Sequence, residues 1–156
     1  FLQTLPLAKI PGVGKVSAAK LEAEGRLVSE IGKGLVVYFG VGKGDTEKQA
    51  SYFAKKIPAL RIFEDGNGKT NLSVADVGGE ILFVSQFTLY ANASHGNRPD
   101  FLQAEEPARA EALYRFTAEK LAETVPVKRG VFGADMKITQ VNEGPFTLML
   151  EKGNEE

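Results

Sequence analysis

The chain has 156 residues, 43% hydrophobic and 25% charged, the size and composition of one ordinary globular domain. It contains no cysteine, which excludes disulfides, thiolate catalysis and Cys-ligated metals, and its net charge of −1 supplies no overall basic field for a nucleic acid. No apolar run approaches the roughly 20 residues needed to span a bilayer, and the start Phe1-Leu2-Gln3-Thr4 lacks a signal-peptide pattern, so a cytoplasmic protein with no membrane partner is expected.

The first 23 residues differ in character from the rest of the chain. Pro6-Leu7-Ala8-Lys9-Ile10 reads as a short helix, Pro11-Gly12-Val13-Gly14 as a tight hairpin, and Lys15 to Ala23 as a second helix. Gly12 and Gly14 allow positive φ, so the turn's N–H groups and the next helix N-terminus could cradle a phosphate beside Lys15. This is the logic of a helix-hairpin-helix. A P-loop is excluded, because Val16 and Gly44 follow Gly14-Lys15 and Gly42-Lys43 where the motif needs Ser or Thr.

Leu27 to Ile31 alternates apolar with polar, and Leu35 to Val41 has the continuous apolar pattern of a buried strand. After the Gly42-Lys43-Gly44-Asp45 turn, Asp45 or Thr46 can cap a helix whose stripe is Ala50, Phe53, Ala54 and Ile57, ended by Pro58. Leu60 to Phe63 reads as a strand, Asp65 to Gly68 as a tight turn, and Glu80 to Leu89 as a strand. The polar loop from Asn92 to Asp100 carries the only histidine, His95. Pro107 to Val125 is the clearest helix, with Ala110, Leu113, Tyr114, Thr117 and Leu121 on one stripe. Two strands close the chain, near Met136 to Val141 and Phe146 to Leu150, before a polar tail from Glu151 to Glu156. The expected fold is α+β: a mainly antiparallel or mixed sheet with two helices packed on one face.

Two runs carry the chemistry. In Ser85-Gln86-Phe87-Thr88-Leu89, a bend after Ser85 would bring the polar groups to one pocket mouth; alternatively the hydroxyls satisfy local backbone at a strand edge. In Asn142-Glu143-Gly144-Pro145-Phe146-Thr147, Gly-Pro forms a turn between two strands. A lone loop histidine makes no triad, and no His-x-x-x-His or similar cluster suggests a metal, so neither metal nor cofactor is expected. Thr88 could act as a nucleophile, but no general base is near it in sequence.

Taken together in this order, the two runs resemble the paired signatures of the D-aminoacyl-tRNA deacylases. The resemblance extends from about Glu24 to Leu150 and includes Arg61-Ile62-Phe63-Glu64-Asp65 and Gly130-Val131-Phe132-Gly133-Ala134-Asp135-Met136. It implies a deacylase-like barrel, a homodimer, and hydrolysis of the ester between a D-amino acid, or glycine, and the 3′ end of tRNA. It further implies that a cis Gly144-Pro145 reaches into the partner's pocket and excludes an L side chain, with Asn142 and Thr147 completing that motif. Backbone N–H groups near Phe87 to Leu89 would support the oxyanion while the tRNA's 2′-OH assists hydrolysis. Phe132 and Met136 would be pocket walls. Arg98, in Ser94-His95-Gly96-Asn97-Arg98-Pro99-Asp100-Phe101, would touch a phosphate of the acceptor end.

Residues 1–23 instead resemble the helix-hairpin-helix of Y-family DNA polymerases, with a close match to DNA polymerase IV around Ile10-Pro11-Gly12-Val13-Gly14-Lys15. A deacylase would open with a strand ending in a Gln-Arg pair, whose Arg supports the Gly-Pro element; no such pair precedes residue 24. The chain therefore reads as a chimera: a grafted segment at 1–23 replacing a first strand, and a deacylase-like body at 24–156. That reading carries two other outcomes: impaired or absent activity, and weak DNA contact through Lys9, Lys15 and Lys20 of the hairpin.

Overall fold

The computed structural model describes residues 9–153, with side chains from residue 12 onward. In chain order the elements are β1 (Lys9–Ala23), β2 (Arg26–Ile31), β3 (Gly34–Phe39), α1 (Glu47–Ala59), β4 (Phe63–Glu64) and β5 (Thr70–Leu72). They continue with β6 (Glu80–Ser85), a 3₁₀ turn (Phe87–Tyr90), α2 (Pro107–Leu121), β7 (Val127–Arg129) and β8 (Met136–Glu151). The main sheet runs β2-β1-β3-β6-β7, and β8 pairs β1 as well, so the sheet curls into a nearly closed barrel with two helices.

The helix-hairpin-helix is overturned. Lys15 to Ala23 is strand, continuous from Lys9, and pairs antiparallel with β2, β3 and β8. Gly12 and Gly14 lie between two ladders, opposite Tyr38 and Val36 on β3 and Met149 and Thr147 on β8. Their backbones serve the sheet and form no phosphate cradle with Lys15. Pro6 to Ala8 of the first expected helix, and Asn154 to Glu156 of the polar tail, lie outside the described residues. Nor is a first strand missing: β1 occupies the centre of the sheet.

Local sequence explains most of the rest. Ala23 pairs with Arg26 across Glu24 and Gly25, both at positive φ (52° and 74°), the two-residue turn that matches strand twist. Thr46 caps α1 with a reciprocal capping box to Gln49. β3 and β6 run parallel and are covered on both faces, which accounts for their unbroken apolar character. Leu35, Val37, Phe39, Ile81 and Phe83 face α1 and α2, with Phe53, Ile57, Leu113 and Leu121. Val36, Leu82 and Val84 face the opposite way into a second core with Val16, Ala19, Leu21 and Ile31, against which Met136 and Ile138 of β8 pack. Between the helices and the sheet, Phe83 stacks on Tyr114 at 5.0 Å and meets Phe39 at 5.1 Å, while the Tyr114 hydroxyl donates to the Phe83 carbonyl at 2.6 Å.

Several boundaries differ from the expectation. The strand expected at Leu60 to Phe63 is a two-residue piece of a small β4–β5 hairpin. The strand from Glu80 stops at Ser85 and a 3₁₀ turn comes next. Pro58 lies within α1 near its end, and α2 stops at Leu121. The two closing strands form one, β8, interrupted by a bulge.

Candidate functional site

β6 ends where the polar residues begin. The Gln86 N–H donates to the carbonyl of Phe39 at 2.9 Å, so the chain leaves the sheet against the end of β3 and turns into the 3₁₀ segment. In such a turn the first N–H groups, here those of Phe87 and Thr88, have no partner within it. The Gln86 side-chain amide donates to the Thr88 hydroxyl. Phe87 is 58% exposed and rests edge-on against Phe101 at 5.0 Å.

Ser85, Gln86 and Phe87 form one rim of a cavity of about 640 Å³ between the barrel and α2. Phe132 and Met136 line it too, so five of the residues singled out from sequence share one space. The volume suits a small-molecule site, which commonly spans roughly 300–1,000 Å³. Phe39, Phe101, Glu105 and Tyr114 are among the other lining residues and were not singled out as site residues. Tyr114 fell on the helix stripe and read as core; its contact with Phe132, at 6.0 Å, is the part no periodicity shows. Burial pushes the Tyr114 hydroxyl up to about 12.

Thr88 is exposed and does not line the cavity. Arg98 and His95 lie on the exposed loop. Asn142, Gly144, Pro145 and Thr147 sit elsewhere, on β8. There Gly14 pairs with Thr147 and Val16 with Asn142, so Glu143 to Phe146 bulge out opposite Lys15 alone. Asn142 to Pro145 are exposed and do not line this protomer's cavity. The Gly144–Pro145 bond is cis, and Gly144 has φ of +116°. Lys15 Nζ lies 5.3 Å from the Phe146 ring centroid and 5.7 Å from that of Phe63, so a cation does stand under the bulge. Gln140 donates to Asn142 at 2.7 Å and receives the Tyr38 hydroxyl at 3.3 Å, tying the bulge's start to β3.

Beside the rim lies a carboxylate read from sequence only as a possible helix cap. Asp45 is 6% exposed, and its Oδ2 accepts from the Gly42 N–H at 2.7 Å and the Tyr90 hydroxyl at 3.4 Å. Arg109 bonds the Asp45 carbonyl and pairs with Glu105. Burial, offset by the Gly42 and Tyr90 hydrogen bonds and reinforced by Glu105, pushes the Asp45 carboxyl up to about 6. The folded protein thus holds this proton more tightly than the unfolded chain. Stability from this group is complete below the ordinary carboxylate value and is lost as pH rises through about 6. Among the described residues no cluster of three or more His, Cys, Asp or Glu side chains could hold a metal, and no helix is long and apolar enough to cross a membrane.

The architecture is that of an α+β, nearly closed barrel with two helices and a cavity at the end of two parallel strands. Comparison with known proteins is more specific. The family model described as D-Tyr-tRNA(Tyr) deacylase matches residues 13–151. D-aminoacyl-tRNA deacylases of Persephonella marina and Myxococcus xanthus are 51% and 49% identical, each covering 89% of this chain and 95% and 92% of their own. A solved structure titled c-Myc DNA Unwinding Element Binding Protein superposes with a TM-score of 0.86 at 40% identity, over 91% of this chain and 97% of its own. A probable eukaryotic D-amino acid tRNA deacylase superposes with a TM-score of 0.79 at 18% identity, over 91% of this chain and 98% of its own, a likeness of fold. The chain belongs to the D-aminoacyl-tRNA deacylase family. The family match begins at Val13, inside the segment read from sequence as grafted.

Proposed function

We propose that this chain hydrolyses the ester between a D-amino acid, or glycine, and the 3′ end of tRNA, and rejects L-aminoacyl-tRNA. The observation that carries the reading is the convergence of Ser85, Gln86, Phe87, Phe132 and Met136 on one cavity in a chain whose family model spans residues 13–151. The N–H groups of Phe87 and Thr88 are the oxyanion donors of this reading, at the rim where an ester carbonyl would lie. This reading does not use Thr88 as a nucleophile: its hydroxyl accepts from the Gln86 amide, which is not a base. Water is the nucleophile, adding to the ester carbonyl with the assistance of the tRNA's terminal 2′-OH while the 3′-oxygen leaves as the tRNA hydroxyl, and the cavity acts by positioning. Arg98 then contacts an acceptor-end phosphate.

Chiral rejection requires a second copy in this reading. The bulge at residues 143–146 contributes nothing to the lining of its own protomer's cavity, and β8 exposes Val141 (54%) and Met149 (63%) to either side. A homodimer that buries this face would deliver Gly144 and Pro145 to the partner's cavity. Lys15, under Phe146, takes the supporting place that the family gives to an arginine. The composite origin survives only as a narrower proposal: residues 1–12 precede the family match, and their polymerase-like sequence is its sole support. DNA contact through a hairpin falls with the hairpin. The structural relative's title names a DNA element, but a net charge of −1 favours the hydrolase reading here.

Incubation with D-tyrosyl-tRNA should release free D-tyrosine, and Thr88→Ala should keep kcat within about threefold of the parent. No release by the folded protein sinks the hydrolase reading. Full loss in a folded Thr88→Ala protein would make Thr88 the nucleophile.

A further inference from the structure

We propose that Asp45 and Tyr90 form a clasp that positions the Gln86–Thr88 rim for deacylation, a role that rests on the deacylase reading and lies outside the cavity itself. The rim has two anchors. One is the bond from the Gln86 N–H to the Phe39 carbonyl. The other is Tyr90, the last residue of the 3₁₀ turn and only 3% exposed.

Tyr90 sits in a slot made by two glycines. A Cβ on Gly42 would lie 2.6 Å from the Tyr90 ring, and one on Gly40 would lie 3.2 Å from it and 3.1 Å from the Gln86 carbonyl. The ring therefore presses on the backbone that continues from β3, with no room for a side chain. Asp45 closes the slot from the far side: one oxygen accepts from the Gly42 N–H and, at 3.4 Å, from the Tyr90 hydroxyl. The carboxylate thereby ties the slot's wall to its occupant. Phe87 and Thr88 lie between the two anchors, so rotation of Tyr90 would swing their N–H groups relative to the cavity.

The carboxylate is costly for a purely structural tie. The nearby cation, Arg109, meets the Asp45 carbonyl and the Glu105 side chain. The charged or titratable groups that meet Asp45 are Tyr90 from the turn and Glu105 from the segment before α2 at its carboxyl, and Arg109 from α2 at its carbonyl. A neutral residue would be cheaper to bury at neutral pH. Retaining a charge that lowers stability, next to a rim of substrate donors, is the pattern of stability given up for function.

The test compares the parent with Tyr90→Phe and Asp45→Asn. With D-tyrosyl-tRNA, both variants should lose kcat by about tenfold while KM stays within about twofold, because the cavity walls are untouched. At about pH 8 Asp45→Asn should also melt above the parent, an advantage that vanishes below about pH 4. Amide exchange at Leu89 and Ala91, whose N–H groups bond within the turn, should quicken in Tyr90→Phe. Parental kcat in both variants overturns the clasp and leaves the deacylase reading intact. If the parent itself shows no turnover, that reading falls, and unchanged exchange in Tyr90→Phe then overturns the clasp independently.

Discussion

Gly144→Ala is expected to lower kcat/KM for D-aminoacyl-tRNA by about a hundredfold in a protein that still folds. Gly144 has φ of +116°, a backbone that L side chains rarely adopt, and an added Cβ would lie 2.9 Å from the Phe146 nitrogen and 3.3 Å from its Cβ. The bulge must therefore change shape. That strain costs about 1–3 kcal/mol locally, and it falls on exposed residues with little packing to lose, so thermal stability should drop by only a few degrees. In the proposed dimer this bulge faces the substrate's α-carbon in the partner's cavity, where a displacement of about 1 Å is enough to lose most of the rate. Parental kcat/KM in Gly144→Ala, with unchanged preference between D and L substrates, would remove the bulge from the mechanism.

Gly34→Ala should be the most destabilising of these substitutions. Gly34 opens β3 opposite Glu80, which opens β6, and a Cβ there would lie 1.9 Å from the Glu80 carbonyl oxygen and 2.8 Å from its nitrogen. The obstacle is backbone, so no rotamer change relieves it. Separating the strands would break the parallel ladder from which Ser85 and Gln86 are hung, together with the bond from the Glu80 N–H to the Lys33 carbonyl. A loss of at least about 3 kcal/mol is expected, read as a lower denaturant midpoint at unchanged slope. Gly32→Ala is the control: nothing lies within 4 Å of its Cβ position, and it should stay within about 0.5 kcal/mol. Similar midpoints for the two variants would show that β3 and β6 are not in such close approach.

The sequence patterns that survived into structure are those whose cause is local. The stripe of α1, its cap at Thr46, the buried strand β3, the strand from Glu80 and the bend after Ser85 arise from residues close together in the chain. β1 did not. Lys15 to Ala23 is rich in Ala, Lys, Leu and Glu, which favour helix on propensity alone. Yet Ala19, Leu21 and Ala23 are buried while Lys20 is exposed, a two-residue period imposed by ladders to β2 and β8. The Pro-Gly-Val-Gly run strengthened the wrong reading, because glycine marks a tight turn and a closely approached strand equally well. Asp45 failed for a similar reason. As a residue before a helix it looks like a cap; its partner Tyr90 is 45 positions away and visible only in the fold.

Of the site, Ser85, Gln86, Phe87, Phe132 and Met136 were legible, because the first run and the stretch from Gly130 to Met136 carry a family resemblance. The second run stands apart: Asn142 to Pro145 lie outside the protomer's own cavity, as expected of a Gly-Pro element that the resemblance assigns to a partner's pocket. In the proposed function that separation is bridged by a second copy of the chain.

The decisive measurement is the initial rate of hydrolysis of D-tyrosyl-tRNA and L-tyrosyl-tRNA under identical conditions. A ratio of at least about a hundred in favour of the D substrate is expected, the discrimination available when a wrong side chain meets fixed backbone. Equal rates, or turnover confined to the L substrate, would contradict the proposed function.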